Sequence, residues 1–537
     1  MVKGYVSFVL HAHLPYVRHP EYENFLEEDW LFEAISETYL PLLDMLGRLS
    51  EEGVPCGLMM CMSPPLCSML RDTLLQERFV HHLDRCIELA EKEQERTKDS
   101  PQEKKLADFY FERFSAQKAQ FLSYQRDVVG AFGRFQEAGL IEIGTCSATH
   151  GFLPLMATQP EAVRAQIQIA VEDYQRHFGR RPRGIWLPEC AYYPGLDVYL
   201  REAGLRFFFV DSHGILDAQP SPVHGVHAPV YTPSGVAAFG RDPESSRQVW
   251  SSKEGYPGDV NYREFYRDLG FDLPFEYIGP YVQPTGARKM TGFKYHRITG
   301  ESEHKELYDP KKAREMADEH AGNFMFNRQH QVSHLAEKMG RPPIVVAPYD
   351  AELFGHWWFE GPWFLEALIR KAANHQSDFA MLNPAEYLQR HPEQQLAQPP
   401  FCTWGANGYA EVWLDPSNDW IYPHLHKASE RMIQLAKQFP NADGLLRRAL
   451  NQMARELLLA QSSDWAFIMQ TNTSVEYSVR RTNDHLLRAG KLYEQILSET
   501  IDVPWLEDIE YRDNIFADID YNVYAEPTPF QVSAPLQ

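Results

Sequence analysis

Short, almost uninterrupted apolar runs recur along this chain, and they constrain its fold more than any other feature. Seven such runs end in polar or small residues: 4–13 (GYVSFVLHAH), 54–63 (VPCGLMMCMS), 140–146 (LIEIGTC), 183–189 (RGIWLPE), 205–212 (LRFFFVDS), 343–350 (PIVVAPYD) and 378–384 (DFAMLNP). Runs without polar alternation are typical of parallel strands that are buried on both faces. Helical patterns separate many of them, at 29–50, 160–178, 194–203 and 360–374. This succession predicts an α/β fold, either a barrel or an open doubly wound sheet.

Three segments depart from this alternation. Residues 70–138 form a long polar helical stretch, which predicts a helical insertion, and residues 240–330 are rich in Gly, Pro and Tyr, which predicts irregular loops over a site. Residues 423–500 carry amphipathic helical patterns throughout. We therefore expect a catalytic domain over residues 1–400, which contains the insertion and the loops, and a C-terminal helical domain over residues 401–537.

Composition narrows the classes of function. With 52 Lys and Arg against 74 Asp and Glu, the formal net charge is 52 − 74 = −22, which argues against binding to nucleic acid or to an anionic membrane surface. The longest apolar runs fall short of the roughly 18 residues that a membrane span needs. The seven cysteines form no CxxC pair, which favours free thiols in a reducing cytoplasm. We expect a cytoplasmic protein that is a monomer or a weak homo-oligomer.

Candidate chemical groups are concentrated at the carboxyl ends of the predicted strands, where α/β enzymes place their sites. The first run ends in His11 and His13, the fourth in Glu189 and the sixth in Asp350. Glu189 and Asp350 fit the paired carboxylates of a glycosidase, one as nucleophile and one as acid/base. Alternatively, His11 and His13 with either Asp211 or Asp350 would bind a divalent metal for hydrolysis or deacetylation. A third interpretation is that both histidines merely hydrogen-bond a carboxylate or a sugar hydroxyl.

Tryptophans near these strand ends favour a carbohydrate substrate over a metal site, because flat apolar faces stack well on sugar rings. The tryptophans concerned are Trp186, Trp357, Trp358, Trp404 and Trp413. We expect Trp404 and Trp413 to form a stacking platform; the alternative is that they belong to the core.

Five sequence blocks resemble glycoside hydrolase family 57, and most of all its α-1,4-glucan branching enzymes. The blocks are HAHLPY (11–16), GTCSATHGFLPL (144–155), GIWLPECAYYPGLD (184–197), APYDAELFGHWWFEGP (347–362) and TWGANGYAEVW (403–413), and QSSDWAFI (461–468) extends the match. The resemblance implies a (β/α)7 barrel with a helical insertion and a C-terminal helical domain that closes over the cleft. It implies a retaining reaction on α-glucan with Glu189 as nucleophile and Asp350 as acid/base, without a metal or an organic cofactor.

Further substrate-contacting positions follow from the same resemblance and from the setting of the blocks. They are His11, His13, His150, Trp186, Arg241, Gly258, Trp357, Trp404, Trp413 and Asp464. Because a nucleophile and an acid cannot share one pKa at pH 7, we expect Asp350 to be the carboxyl that stays protonated.

The chain departs from the family in one place. Members that transfer glucan efficiently carry a long loop before the FGRD block, and that loop brings a tyrosine over the site. Here only HAPVYTPSGVAA (227–238) precedes Phe239, so Tyr231 is the one candidate replacement, and Arg247 stands where we expect an aromatic wall residue. A shorter loop admits water more easily, so α-amylase-type hydrolysis is the close alternative to branching.

Two more distant hypotheses remain. One is a metal-dependent deacetylase or mannosidase on a similar barrel, which chelators would inactivate. The other is a glucan-binding protein without activity, against which the intact Glu189 and Asp350 pair argues.

Overall fold

The computed structural model describes residues 2–251, 254–282, 286–300, 302 and 304–525. The end of the predicted C-terminal domain, 526–537, lies outside the described residues, as do a few positions of the predicted loop segment (252–253, 283–285, 301 and 303). No helix in the described part of the chain combines the length and the hydropathy that crossing a membrane requires.

The described residues form ten strands, most of them in the predicted apolar runs. They are β1 (Gly4–Ala12), β2 (Leu58–Met62), β3 (Ile141–Gly144), β4 (Gly184–Ile185), β5 (Phe207–Val210), β6 (Val230–Tyr231), β7 (Ala237–Gly240), β8 (Ile344–Asp350), β9 (Phe379–Met381) and β10 (Gln395–Leu396).

Strand pairing links seven of these described strands in the succession β8-β1-β2-β3-β4-β5-β7. Parallel ladders join β3, β2, β1 and β8 in one sheet and β4, β5 and β7 in another. A parallel bridge between Thr145 and Ile185 connects β3 to β4, and the backbone N–H of Asp242 donates to Val346 O (2.9 Å) beside β7 and β8. This is the strand order expected of a seven-stranded β/α barrel.

The seventh barrel strand is not the one that the apolar runs predict. The run 378–384 forms β9, which pairs with the beginning of β1 at Gly4–Val6, whereas β7 occupies the place between β5 and β8. β7 is the four-residue segment AAFG, and its two alanines and terminal glycine carry little strand propensity.

The alternation of side chains along the strands explains how site residues come to lie at the mouth of the barrel, where the strands have their carboxyl ends. Inward-facing side chains alternate along each strand, and Tyr5 and Val9 of β1 pack with Phe207 and Phe209 of β5 and with Ile344 of β8 in a buried cluster. Where the same rows reach the carboxyl ends of the strands, the apolar residues give way to polar ones.

The described residues contain twenty α-helices. They are α1 (Glu28–Ala34), α2 (Leu40–Glu51), α3 (Pro64–Arg71), α4 (Thr73–Arg96), α5 (Pro101–Ser123), α6 (Val128–Glu137), α7 (Pro160–Phe178), α8 (Leu196–Glu202), α9 (Ser212–Leu216), α10 (Pro243–Trp250), α11 (Leu269–Asp272), α12 (Phe275–Ile278), α13 (Pro310–Met339), α14 (Gly361–Asn374), α15 (Pro384–Arg390), α16 (Ile421–Gln438), α17 (Gly444–Ala460), α18 (Ser463–Thr471), α19 (Val475–Leu497) and α20 (Val503–Arg512).

The long helix α13 corrects the prediction of irregular loops over residues 240–330, since it occupies the end of that range from Pro310 onwards. Asp309 begins it by accepting from the N–H of Lys311 (3.1 Å), and Gly340 ends it with a left-handed φ of 65°. The apolar residues of α13 are spread around the helix instead of lying on one face, so hydrophobic periodicity in the sequence does not reveal the helix. The C-terminal helices begin only at Ile421, so residues 401–420 of the predicted helical domain contain no α-helix.

The C-terminal helices contact the barrel directly at its mouth. The N–H of Ser463, the first residue of α18, donates to His150 O (2.9 Å), and Gly151 and Ser462 form an antiparallel bridge. Buried Trp465 anchors the same turn through a hydrogen bond from Nε1 to Leu459 O (2.8 Å). Residues of α18 are thereby placed beside the strand ends.

Candidate active site

Glu189 lies in a strained turn directly after β4. Glu189 and Cys190 have left-handed φ angles of 61° and 50°. Non-glycine residues rarely adopt this conformation, and such strain is concentrated at functional sites. The N–H of Trp404 donates to Glu189 O (3.0 Å) and helps to hold the turn.

The carboxylate of Glu189 accepts two hydrogen bonds, one on each oxygen. Trp404 Nε1 donates to Oε2 (2.9 Å) and Ser463 Oγ donates to Oε1 (3.0 Å). Burial raises the pKa of Glu189 to about 7, with a further rise from Asp464, while the two hydrogen bonds act in the opposite direction. The group therefore titrates near neutral pH.

This shift predicts a pH-dependent stability. From pH 4.5 to 7 the folded chain keeps the proton of Glu189 after the unfolded chain has lost it, so stability falls as pH rises through this window. We expect Glu189→Gln, which is always neutral, to be more stable than wild type at pH 8 by up to about 3 kcal/mol, with little difference at pH 4.5. Urea unfolding at both pH values measures this. A gain that is equal at both values, or that exposed Glu411→Gln reproduces, contradicts it.

Asp350 ends β8 and faces open space. It is the register partner of His11 on β1, and it lines a cavity of about 630 Å³. Burial, followed by the negative charges of Glu352 and Glu189, raises its pKa well above the ordinary range, while Arg241 opposes the rise. The described residues place no hydrogen-bond donor on its carboxyl group, which leaves it available to a ligand.

Glu352 is a third buried carboxyl group at the site, and it is not among the site residues predicted from the sequence. Its Oε1 accepts from Tyr39 Oη and from the N–H of His13 (3.3 Å). Burial raises its pKa to about 6, against the effect of the Tyr39 hydrogen bond. A carboxyl group two residues after Asp350 had no separate signal in the sequence.

His11 and His150 form a chain of hydrogen bonds that ends on Glu189. His150 Nδ1 lies 2.8 Å from Ser463 Oγ, and the Nε2 atoms of His150 and His11 are 3.0 Å apart. Because the single hydrogen of Ser463 is donated to Glu189, His150 Nδ1 must donate to the hydroxyl. Burial lowers the pKa of His150 and of His11 well below the ordinary value, so both rings are neutral. His11 Nε2 is then the donor to His150.

His13 lies opposite this chain and binds Asp464. Its Nε2 is 2.9 Å from Asp464 Oδ2, and its Nδ1 is 2.8 Å from Ser63 Oγ. Burial raises the pKa of Asp464, but the charge and hydrogen bond of His13 outweigh it, so the pKa stays well below the ordinary range. Asp464, in the first turn of α18, thus presents a fixed negative charge at the site.

Two of the predicted sugar-contacting tryptophans are buried, and for them the prediction is wrong. Trp413 is 1% exposed and stacks on Phe152 (4.8 Å), so it offers no face to a sugar. Trp186 is fully buried and stacks beneath His11 (4.7 Å). Both pack as core residues because neighbouring side chains already cover their ring faces.

Trp404 and Arg241 lie beside Glu189 and Trp186 at the mouth of the barrel. Trp404 crosses Trp186 edge to face (4.9 Å), and the guanidinium of Arg241 lies 5.9 Å from the Trp404 ring. Arg241 Nη1 also contacts Asp211 Oδ2 (3.4 Å). Arg241 is therefore oriented by an acidic partner and an aromatic face.

The cavity beside Asp350 brings together Gly258 and Trp357, both predicted, with Trp250. Trp250 meets Trp404 edge to face (6.3 Å) and supplies an aromatic ring to the cavity, whereas Arg247, expected to replace an aromatic wall residue, is exposed. The two residues lie three positions apart, about one turn of α10.

Tyr231 does not reach the site. It pairs with Ala237 at the beginning of β7, in a tight hairpin, and Ala237 pairs with the beginning of β5. This is the amino end of the barrel, opposite the carboxyl ends where Glu189 and Asp350 lie.

Three groups of side chains among the described residues have the spacing of metal ligands. They are His13, His150 and Asp464; His11, Cys146 and His150; and Glu456, His485 and Asp513. In the first group both nitrogens of each histidine already lie within hydrogen-bonding distance of a protein atom. In the third group Arg488 Nη1 lies close to Asp513 Oδ2 and places a positive charge where a cation would bind.

Comparison with known proteins agrees with this geometry. The chain matches glycosyl hydrolase family 57 over residues 7–400 and the C-terminal region of 1,4-alpha-glucan branching enzyme over residues 424–524. It is 36% identical to 1,4-alpha-glucan branching enzyme TK1436 of Thermococcus kodakarensis, over 98% of this chain and 79% of that protein.

Solved structures resemble the whole chain. The structure of the alpha-amylase AmyC from Thermotoga maritima is 49% identical with a TM-score of 0.92, covering 98% of this chain and 99% of that one. The structure of a GH57-type branching enzyme from Pyrococcus horikoshii is 35% identical with a TM-score of 0.88, covering 99% of this chain and 98% of that one. The chain therefore belongs to glycoside hydrolase family 57.

Proposed function

We propose that this chain is a 1,4-α-glucan branching enzyme that works by retaining double displacement, with Glu189 as nucleophile and Asp350 as acid/base. The observation that carries the proposal is the different setting of the two carboxyl groups. Asp350 faces the cavity with a strongly raised pKa, whereas Glu189 is held by Trp404 and Ser463. Environments of this kind assign one carboxyl group to proton transfer and the other to attack.

The reaction then follows from these positions. A carboxylate oxygen of Glu189 attacks the anomeric carbon while Asp350 gives its proton to the glycosidic oxygen, and a glycosyl ester forms as that bond breaks. In the second step Asp350 takes the proton of an acceptor 6-hydroxyl, whose oxygen attacks the anomeric carbon and releases Glu189. Retention predicts carboxyl groups about 5–5.5 Å apart.

The remaining site residues are proposed to bind the α-glucan substrate. Exposed Trp357 and the mouth residue Trp404 offer ring faces to sugars. Arg241 and Asp464 offer hydrogen-bonding groups to sugar hydroxyls, His13 holds Asp464 in place, and Gly258 lines the cavity beside Asp350. His11 and His150 are 3% exposed, so we assign them the positioning of Glu189 rather than direct contact.

The names of the curated relatives support branching over hydrolysis. TK1436 of Thermococcus kodakarensis is named 1,4-alpha-glucan branching enzyme. Rv3031 of Mycobacterium tuberculosis is named probable 1,4-alpha-glucan branching enzyme. Hydrolysis is the second candidate because the structure titled alpha-amylase AmyC is 49% identical and because residues 230–240 form a hairpin rather than a loop over the site.

Incubation with amylose separates these candidates. Proton NMR follows reducing ends and α-1,6 linkages together, and we expect new 1,6 linkages with few reducing ends. Reducing ends without 1,6 linkages would make the chain a hydrolase. Neither signal, in wild type and Glu189→Gln alike, would favour a binding protein without activity. Turnover that continues unchanged in excess EDTA would exclude the metal-dependent deacetylase or mannosidase.

We also propose that the enzyme acts in the cytoplasm as a monomer or weak homo-oligomer on a glycogen-type glucan. All seven cysteines, which lie within the described residues, are free and buried, as befits a reducing compartment.

A further inference from the structure

The cavity beside Asp350 leads away from the two carboxyl groups to an exposed pair of stacked rings. Trp357 is 56% exposed and stacks on Phe265 at 4.5 Å with an angle of 21° between the rings. Tyr266, the next residue, is 73% exposed and also lines the cavity. We call Trp357, Phe265 and Tyr266 the aromatic platform.

Buried charges hold one side of this platform. Lys294 is 2% exposed; its Nζ donates to Phe265 O (2.6 Å) and lies 4.0 Å from the Phe265 ring. Arg263 is 6% exposed, and its N–H donates to Glu360 Oε1 (3.0 Å). Buried charged groups need partners, and these contacts hold the loop backbone at residues 263 and 265.

A single carboxylate ties the two halves of the platform together. Glu37 Oε1 accepts from Arg263 Nη2 (2.7 Å), two residues before Phe265, and Glu37 Oε2 is 2.7 Å from Nδ1 of His356, the neighbour of Trp357. Glu37 lies in a π-helical turn, Ile35–Tyr39, between α1 and α2. π-Helical turns frequently occur at functional sites, because they re-aim side chains that a regular helix would place elsewhere.

The position of the cavity indicates which part of a glucan it would receive. Asp350 lines it, whereas Glu189 is turned toward Trp404 and Ser463. An acid/base protonates the leaving oxygen and later deprotonates the acceptor hydroxyl. Both groups therefore approach from the side of Asp350, and the cavity continues on that side.

We propose that the aromatic platform is a distal subsite for the acceptor α-1,4-glucan chain, where Trp357 stacks on a glucose unit remote from the reacting hydroxyl. This inference rests on the proposed function and deepens it. When the acceptor is bound, its hydroxyl oxygen attacks the anomeric carbon, its proton passes to Asp350, and the bond to Glu189 breaks. When the platform is empty, water takes the same place. The platform thus favours transfer over hydrolysis.

The ratio of transfer to hydrolysis tests this subsite. Wild type, Trp357→Ala, Trp357→Phe and Phe326→Ala are incubated with amylose, and α-1,6 linkages and new reducing ends are counted. We expect Trp357→Ala to lower the ratio about tenfold, because one stacking contact with the acceptor is lost. Trp357→Phe should keep most of the ratio. Phe326, equally exposed at 56% but on α13 away from the cavity, is the matched control and should leave the ratio unchanged.

An unchanged ratio in Trp357→Ala, or an equal fall in Phe326→Ala, would overturn the proposal. If wild type forms no 1,6 linkages, the proposed function fails. The subsite is then tested separately by measuring the binding of an oligosaccharide. Maltoheptaose is then titrated calorimetrically into Glu189→Gln alone and combined with Trp357→Ala or Phe326→Ala. About tenfold weaker binding with Trp357→Ala only would support the subsite. Equal affinities in all three proteins would refute it.

Discussion

Glu189→Gln is expected to lower the turnover of amylose by at least about 10⁴-fold, because an amide cannot form the glycosyl ester through which both transfer and hydrolysis pass. The loss should be the same for α-1,6 linkages and for reducing ends, since the two products share the intermediate. Initial rates of both, with an α-glucosyl fluoride as a second substrate, measure the effect. The fluoride should not restore activity, because a better leaving group does not replace the nucleophile.

Glu411→Gln is the control, since Glu411 is exposed and its substitution leaves the site intact. Persistence of more than about 1% of the wild-type rate in Glu189→Gln would exclude Glu189 as the nucleophile. The urea experiment described above shows in parallel that the variant is folded, because it predicts a gain in stability at pH 8.

Asp350→Asn is expected to slow turnover of amylose by about 10²- to 10⁴-fold, the usual contribution of general acid–base catalysis. The sugar leaving group needs the proton of Asp350, whereas fluoride leaves without one. We therefore expect cleavage of α-glucosyl fluoride to lose much less activity than cleavage of amylose. Added azide, which attacks without giving up a proton, should accelerate release of the glycosyl enzyme.

The comparison of amylose with the fluoride distinguishes the two carboxyl groups. Asp419→Asn, at an exposed position, is the matched control and should behave as wild type. Equal losses on both substrates, without a response to azide, would refute the acid/base role of Asp350.

The residues of the site differ in how far sequence could predict them. Glu189, Asp350 and His11 lie at or just beyond the carboxyl ends of buried strands, and polar groups there face the end of the barrel where α/β enzymes place their sites. Ser463 had no such signal, because the sequence of a C-terminal helix does not show that its hydroxyl will donate to Glu189. Lys294 and Arg263 look like ordinary loop cations until their burial is known.

Tryptophan burial is the clearest case in which sequence could not decide. Trp404 and Trp413 lie nine residues apart in one Gly- and Asn-rich block, yet one donates a hydrogen bond to Glu189 and the other is 1% exposed in the core. The difference arises from Phe152, which covers the ring of Trp413 from a distant part of the chain. The exposed face of a ring is a property of its tertiary neighbours, whereas its chemistry is local.

By itself the sequence determined the α/β class, most strands and the carboxyl groups at two strand ends, because backbone periodicity and strand direction are local properties. The family followed from the resemblance of five sequence blocks. Only the tertiary structure decided that β7 lies between β5 and β8, that Tyr231 lies at the end opposite the site, and that Trp250 lines the cavity. These outcomes depend on long-range packing, in which a side chain's position is set by residues far away in the chain. The same packing places Ser463 of α18 within 3.0 Å of Glu189 and so joins two regions in one site.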